Sequence, residues 1–311
     1  MGFVIARRVL AGVPTLLGVT VLLFIALRLL PGDPIAALLG GASASPEVVE
    51  NLRQQFGLDR SVPEQYWTFL TSALQLDLGT SYATRQPVTG MIAAQIGSTL
   101  QLAGAAALIS AVTGITLGSL AAIKRNSWID GLVRVLSLVN TSMPSFWVGL
   151  LLIMFFSFQL GLFPATGSGS LGQLVLPAAT LGLAAAGTVT RLVRNSVIEV
   201  LGENFVTALH AKGLRGRVIV VKHVLRNAII PTVTVVGLQL GGLVAGSVIV
   251  ETVFSRRGIG QTLVQAIGGQ DYPVVQGVVL VIAVIYIVIN IVVDISYAYI
   301  DPRVRSVLAA S

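Results

Sequence analysis

Six apolar stretches, at residues 9–30, 97–123, 132–160, 174–193, 228–250 and 274–299, leave this chain little choice of fold class. A hydrocarbon core of about 30 Å needs roughly 20 consecutive apolar residues as a helix. A helix is what such a stretch must become, because lipid offers no partner to an unbonded backbone amide. Only 11% of the 311 residues are charged and 54% are hydrophobic, and the apolar ones come in long blocks, unlike the short alternations of a soluble core. The chain is predicted to be an all-α, polytopic membrane protein with six transmembrane helices.

The first stretch follows Arg7 and Arg8, as a signal peptide's apolar core would. Its 22 residues exceed a signal core, and it runs into Arg28-Leu-Leu-Pro-Gly-Asp33 without an A-x-A cleavage pattern, so it reads as a retained helix. Met1-Gly2 resembles a myristoylation start, but Ala6 stands where Ser or Thr is required. There is no cysteine, so disulfides and thiolate metal sites are excluded.

Charge sets the orientation. Fourteen of the 20 Lys and Arg fall on one set of alternate segments: Arg7 and Arg8; Lys124, Arg125 and Arg134; seven between Arg191 and Arg226; and Arg303 and Arg305. Arg53, Arg60, Arg85, Arg256 and Arg257 lie on the other set, with Arg28 at a helix end. By the positive-inside rule both termini are expected to be cytoplasmic, and six crossings satisfy that parity. The net charge of +7 then reports topology, and no basic stripe with interleaved aromatics suggests nucleic-acid binding.

Three segments between the spans matter. Residues 31–96 are expected outside and folded: Ser45-Pro46-Glu47 starts a helix with Val48, Val49, Leu52 and Phe56 on one face and Gly57 closing it. A second stripe follows Pro63 through Tyr66, Phe69, Leu70 and Ala73, and Pro87 opens the helix of the second span. This segment is either a cap on the helix ends or a docking surface for an external protein. Residues 191–227 are cytoplasmic and strongly basic. Residues 251–273 are external, and Arg256-Arg257-Gly258-Ile259-Gly260 suggests a hairpin or short re-entrant element. Within the spans, Gly114 and Gly118, and Gly237, Gly241, Gly242 and Gly246, have the spacing that lets helices approach closely, with lining of a conduit as the functional alternative. Pro144 predicts a kink in the third span.

No energy source is legible. No G-x-x-x-x-G-K-[ST] motif cradles ATP, and Gly167-Ser-Gly169-Ser-Leu-Gly172 matches G-x-G-x-x-G only by chance, in a loop with no preceding strand. Ion coupling wants ionisable groups at mid-membrane depth, and only Asp294 lies clearly inside a span, near its cytoplasmic end. No aspartyl pair, G-x-S-x-G or H-E-x-x-H supports catalysis, and His210 and His223 are not spaced as a helical metal pair. If the protein moves something uphill, a partner supplies the energy. An ion-coupled carrier or channel is the alternative from a different class, and a membrane enzyme a third.

Between Gly202 and Gly213 the sequence permits a short helix of about 13 Å, with Asn204 as N-cap, Gly213 as a left-handed C-terminal residue, and Leu201, Phe205, Ala208 and Leu209 on one face. That apolar face seats either in a partner's groove or against lipid headgroups. The stretch Ala208-Leu-His-Ala-Lys-Gly213-Leu, followed by His223-Val-Leu-Arg-Asn-Ala-Ile-Ile-Pro231, resembles the coupling loop of binding-protein-dependent ABC importer permeases. Where the family's general pattern begins Glu-Ala-Ala, this chain has Thr207-Ala208-Leu209. Further ordered matches are similar to the first of the two permeases in dipeptide and oligopeptide importers. They are Leu30-Pro-Gly-Asp-Pro34, Phe56-Gly-Leu-Asp59 with Gln65-Tyr66, Leu76-Asp-Leu-Gly-Thr-Ser81, Met143-Pro-Ser-Phe146, Leu162-Phe-Pro-Ala-Thr-Gly167, Val250-Glu-Thr-Val-Phe254, Asp271-Tyr-Pro-Val-Val-Gln-Gly277 and Asp301-Pro-Arg303.

The resemblance implies a type I ABC importer permease fold in the cell inner membrane, paired with a second homologous permease, two ATP-binding subunits and an extracytoplasmic solute-binding protein. It places no cofactor in this chain; ATP and Mg belong to the ATPases. It implies import of dipeptides or oligopeptides, with nickel complexes, glutathione or haem as alternatives. By the same analogy Phe205, Ala208, Leu209, Lys212, Gly213 and Leu214 form the ATPase contact. The chain then divides into an N-terminal helix (1–30), an extracytoplasmic segment (31–96), a five-helix core (97–299) with its coupling loop (195–227), and a cytoplasmic tail (300–311).

Overall fold

A computed structural model describes residues 2–29, 31–39 and 45–300; the side chains of 2–6, 230, 294 and 297–300 are outside that description, as are Asp301-Pro-Arg303 and the tail. All of the regular structure among the described residues is helical apart from one isolated bridge, Thr80 to Pro87. Helix α1 (Gly2–Leu29) is the first span. Three short helices follow, α2 (Pro34–Leu39), α3 (Pro46–Gln55) and α4 (Val62–Leu74). Ser45 caps α3 by accepting from the Val48 amide, and Ser61 and Glu64 form a capping box on α4.

The remaining spans are α5 (Val88–Ile123), α8 (Gly172–Leu201), α11 (Leu225–Val253) and α13 (Tyr272–Ile300), together with a broken pair, α6 (Trp128–Ser142) and α7 (Ser145–Leu152). Helix α7 continues as a π-helix over Ile153–Gln159. Among the described residues five helices are long and apolar enough to cross a membrane, and the α6–α7 pair makes six if counted as one span. The expected kink at Pro144 is a break: the two halves meet at 109°, with Pro144 as the N-cap of α7. Proline has no amide hydrogen to donate and clashes with the preceding turn, so the chain leaves the helix at Met143 and starts another.

Helices α5 and α8 make the most extensive pairing in the bundle. The cause is in the sequence, because a side chain on Gly114 or Gly118 would have no room. A Cβ on Gly118 would lie 2.6 Å from the Thr190 carbonyl oxygen, and one on Gly114 2.5 Å from the Val189 side chain. Gly237 and Gly241 do the same for α11 and α13, against Val293 and Tyr286. Gly118→Ala is therefore expected to cost about 1–3 kcal/mol through overpacking, read as a lowered thermal midpoint of the detergent-solubilised protein.

The helix directions put two groups of connections at opposite ends. Gly12 faces Ile287 and Gly237 faces Val293, so the start of α1, the start of α11 and the end of α13 share one end with the α5–α6 turn and the end of α8. Most of the basic residues are there. The short helices α2 to α4 and the 254–271 connection occupy the other end.

Candidate functional site

The basic end of the bundle carries a short helix on a braced stalk. Helix α8 does not stop at Val193, where the apolar stretch ends, but continues to Leu201. What lets it carry charge is a buried ion pair. The Arg194 guanidinium donates to both Asp130 carboxylate oxygens, Nε to Oδ1 at 2.7 Å and Nη2 to Oδ2 at 2.8 Å, and Asp130 also accepts from the Asn126 amide at 3.1 Å. The Asp130 side chain is 0% exposed and Arg194 17%. Arg191 reaches the same wall, donating to Thr141 Oγ1 at 3.0 Å. This clamp ties the α5–α6 turn and the first turn of α6 to α8.

After Gly202 comes α9 (Asn204–Ala211). Its N-cap is Glu203, one residue before the expected Asn204. The left-handed turn is where the sequence requires it: Gly213 has φ +77°, a conformation in which a Cβ meets the following carbonyl. The expected apolar face is divided. Val206 is the buried residue of α9, packed with Ala122 of α5, Val193 and Val197 of α8, and Ile219 and Val224 beyond, with Leu209 and Leu214 partly buried against the same cluster. Phe205, Ala208, Lys212 and Gly213 are exposed. The chain returns through α10 (Gly216–Val218) and a π-helical turn at Ile219–Val224 that braces α9 before α11 begins. His210 Nδ1 lies 3.0 Å from the Val206 carbonyl within α9, and no His, Asp or Glu cluster able to hold a metal occurs among the described residues.

At the opposite end, two motifs have structural explanations that the sequence did not disclose. Glu251, at the end of α11, is fully buried and caps the following helix, α12 (Ile259–Gly268). It accepts from Thr99 Oγ1 at 2.6 Å and from the Gly260 and Gln261 amides at 2.8 and 3.2 Å. Gly258 is needed because a Cβ there would come 2.3 Å from the Glu251 carboxylate. The expected hairpin or re-entrant element is thus a ten-residue helix held by its N-terminus. Asp271 in turn accepts from Ser81 Oγ at 2.5 Å and from the Tyr82 amide at 3.0 Å, fastening the loop after α4 to the start of α13. The G-x-G-x-x-G match is an irregular loop, with Gly167 and Gly169 at positive φ and the Gly167 amide bonded to the Phe254 carbonyl.

The chain is thus a bundle of membrane-crossing helices with a short braced helix at its basic end and a folded cap at the other. Residues 114–306 match the family described as "Binding-protein-dependent transport system inner membrane component", and residues 1–103 match its N-terminal companion family. The chain belongs to this family, the inner-membrane permeases of binding-protein-dependent ABC importers. Relatives named glutathione transport system permease protein GsiC match nearly end to end. The Pectobacterium atrosepticum protein is 42% identical over 96% of this chain and 97% of its own. That of Escherichia coli K12 is 41% identical over 97% of this chain and 98% of its own. A solved chain of the MetNI methionine ABC transporter, in an inward-facing form, superposes with a TM-score of 0.58 at 20% identity, covering 68% of this chain and 96% of that one. This last likeness concerns the fold alone.

Proposed function

We propose that this permease imports short peptides, glutathione among them, as half of a heterodimeric pore whose motion is driven by two separate ATP-binding subunits docked on α9. The observation that carries the coupling role is the division of α9: Val206 anchors it in the bundle while Phe205, Ala208, Lys212 and Gly213 stand free. Leu209 and Leu214 support this contact from beneath, holding the helix at its height above the bundle. In this reading ATP and Mg are bound by the ATPases, whose closure moves α9. The Asp130–Arg194 clamp passes that motion from α8 to α6, and the pore alternates between two openings. A solute-binding protein delivers substrate to the opposite end. The substrate class rests on the full-length relatives, which are named for glutathione transport and are 41–42% identical.

The test is ATPase activity of the reconstituted importer with its binding protein, compared across glutathione, dipeptides, longer peptides, nickel chelates and haem. Stimulation by glutathione or another short peptide is expected. Stimulation by nickel chelates or haem alone would overturn the substrate assignment while leaving the coupling role intact.

The basic end is proposed to face the cytoplasm, with both termini on that side, because most of the Lys and Arg gather there. The chain's lack of cysteine makes this directly measurable. A membrane-impermeant maleimide is expected to label Arg125→Cys in inside-out vesicles and Glu47→Cys in right-side-out vesicles. The reverse pattern would invert the topology.

A further inference from the structure

Helix α4 does not simply cover the ends of the spans. Tyr66 Oη lies 3.0 Å from Thr20 Oγ1, and the Tyr66 ring meets Phe24 edge-on. Thr20 is nine residues before the end of α1, so α4 flanks the span to a depth of about 13 Å. Its outward side carries Trp67, 68% exposed, and Leu74, 85% exposed. A tryptophan and a leucine so placed suit the boundary between acyl chains and headgroups.

Between α4 and the facing ends of α1 and α13 lies a cavity of about 190 Å³, well above the roughly 10–15 Å³ that a single water requires. Phe24 and Phe69 give it an apolar wall, and Arg28 and Arg60 both line it. The Arg28 guanidinium lies over the Phe24 ring, 3.4 Å from its centroid, and donates to the Phe24 carbonyl and to Gln65 Oε1. Among the described residues neither arginine forms an ion pair. The Tyr82 phenol in the same wall cannot serve as a counter-charge, since burial, with the Asp271 carboxylate second, pushes its pKa far up. The acidic residue of the lining, Asp77, accepts from the Gly79 amide. Asp33, which shares a neighbouring pocket with Arg28, is paired with Arg53, so among the described residues this half-buried guanidinium at the flank of a lipid-facing span has no carboxylate within ion-pair distance.

We propose that this cavity binds one anionic glycerophospholipid, its phosphate between Arg28 and Arg60 and an acyl chain along Phe24 and Phe69. The phosphate supplies the missing charge. Ile25 and Leu29, exposed on α1 beside Phe24 and Arg28, give the acyl chain an apolar surface leading into the bilayer.

The purified, assembled importer is stripped of loose lipid, the retained lipid is quantified by mass spectrometry, and thermal midpoints are measured with added phosphatidylglycerol, phosphatidylcholine or glycerol 3-phosphate. Wild type is expected to retain phosphatidylglycerol and to be stabilised by it alone. Arg28→Gln and Arg60→Gln should each lower retention by about fivefold. Ser72→Trp, which fills the cavity and keeps both arginines, should lower it as well while the importer still elutes as an intact complex. Arg60 is exposed, so its variant reports binding even if Arg28→Gln assembles poorly. Unchanged retention in Arg60→Gln and Ser72→Trp, equal stabilisation by phosphatidylcholine, or an equal shift from glycerol 3-phosphate, which would mark a site for soluble phosphates, would each overturn the proposal.

Discussion

Arg194→Ala is expected to destabilise the permease by about 3–5 kcal/mol, the largest effect of any single side-chain truncation considered. The reason is what it strands. Asp130 is 0% exposed, sits under the first turn of α6, and loses both guanidinium bonds at once. Its remaining contacts, the Asn126 amide at 3.1 Å and Arg134 Nε at 3.6 Å, do not replace a bidentate partner, although Arg134 should hold the loss toward the lower end of the range. Asp130→Asn is expected to be milder, because Arg194 is 17% exposed and can turn toward water. The Asp130→Ala, Arg194→Ala double variant should recover part of the single-variant loss, as removing both charges leaves nothing stranded. Thermal unfolding in detergent measures all three. An Arg194→Ala midpoint within a degree of wild type would show that the pair does not hold α6 to α8.

On the proposed docking of the ATPases at α9, Phe205→Asp is expected to weaken that contact strongly while leaving the permease folded. Aromatic anchors at protein interfaces commonly contribute about 2–4 kcal/mol, so loss of Phe205 should weaken docking by roughly 30-fold or more. Because Phe205 is 38% exposed and Val206 is buried, neighbouring residues separate two effects. Val206→Asp should unfold the α9 end, whereas Phe205→Asp should only uncouple it. Leu209→Asp would mix the two, since Leu209 is partly buried against the bundle. The measurements are copurification of the ATPases and ATPase stimulation by loaded binding protein. Normal stimulation in Phe205→Asp would remove α9 from the coupling path.

Much of this architecture was legible where the signals are local. The start of α3 is marked by Ser-Pro-Glu, and the structure caps it with Ser45; Pro63 marks the first turn of α4. Gly213 was legible because one backbone conformation demands one residue type. What escaped depends on partners distant in sequence. The α8 helix outruns its apolar stretch because Arg194 finds Asp130, 64 residues away. Glu251 gives no sign of its role until Thr99, 152 residues earlier, is seen to share it. The inward turn of Val206 was missed for a related reason: helical spacing groups residues on faces, but which face meets the bundle depends on α5, α8 and the turn at Ile219–Val224.

The tie between Ser81 and Asp271 also sets an order of assembly. Ser81 is made 190 residues before its partner, an interval of about 10–40 s at ordinary rates of synthesis. During that interval the Ser81 hydroxyl and the Tyr82 amide lack their acceptor, Asp271. The cap opposite the α9 end therefore completes only as the last span is made, so a chain cut short before Asp271 should leave the loop after α4 unlatched and more readily cut by a protease that reaches it.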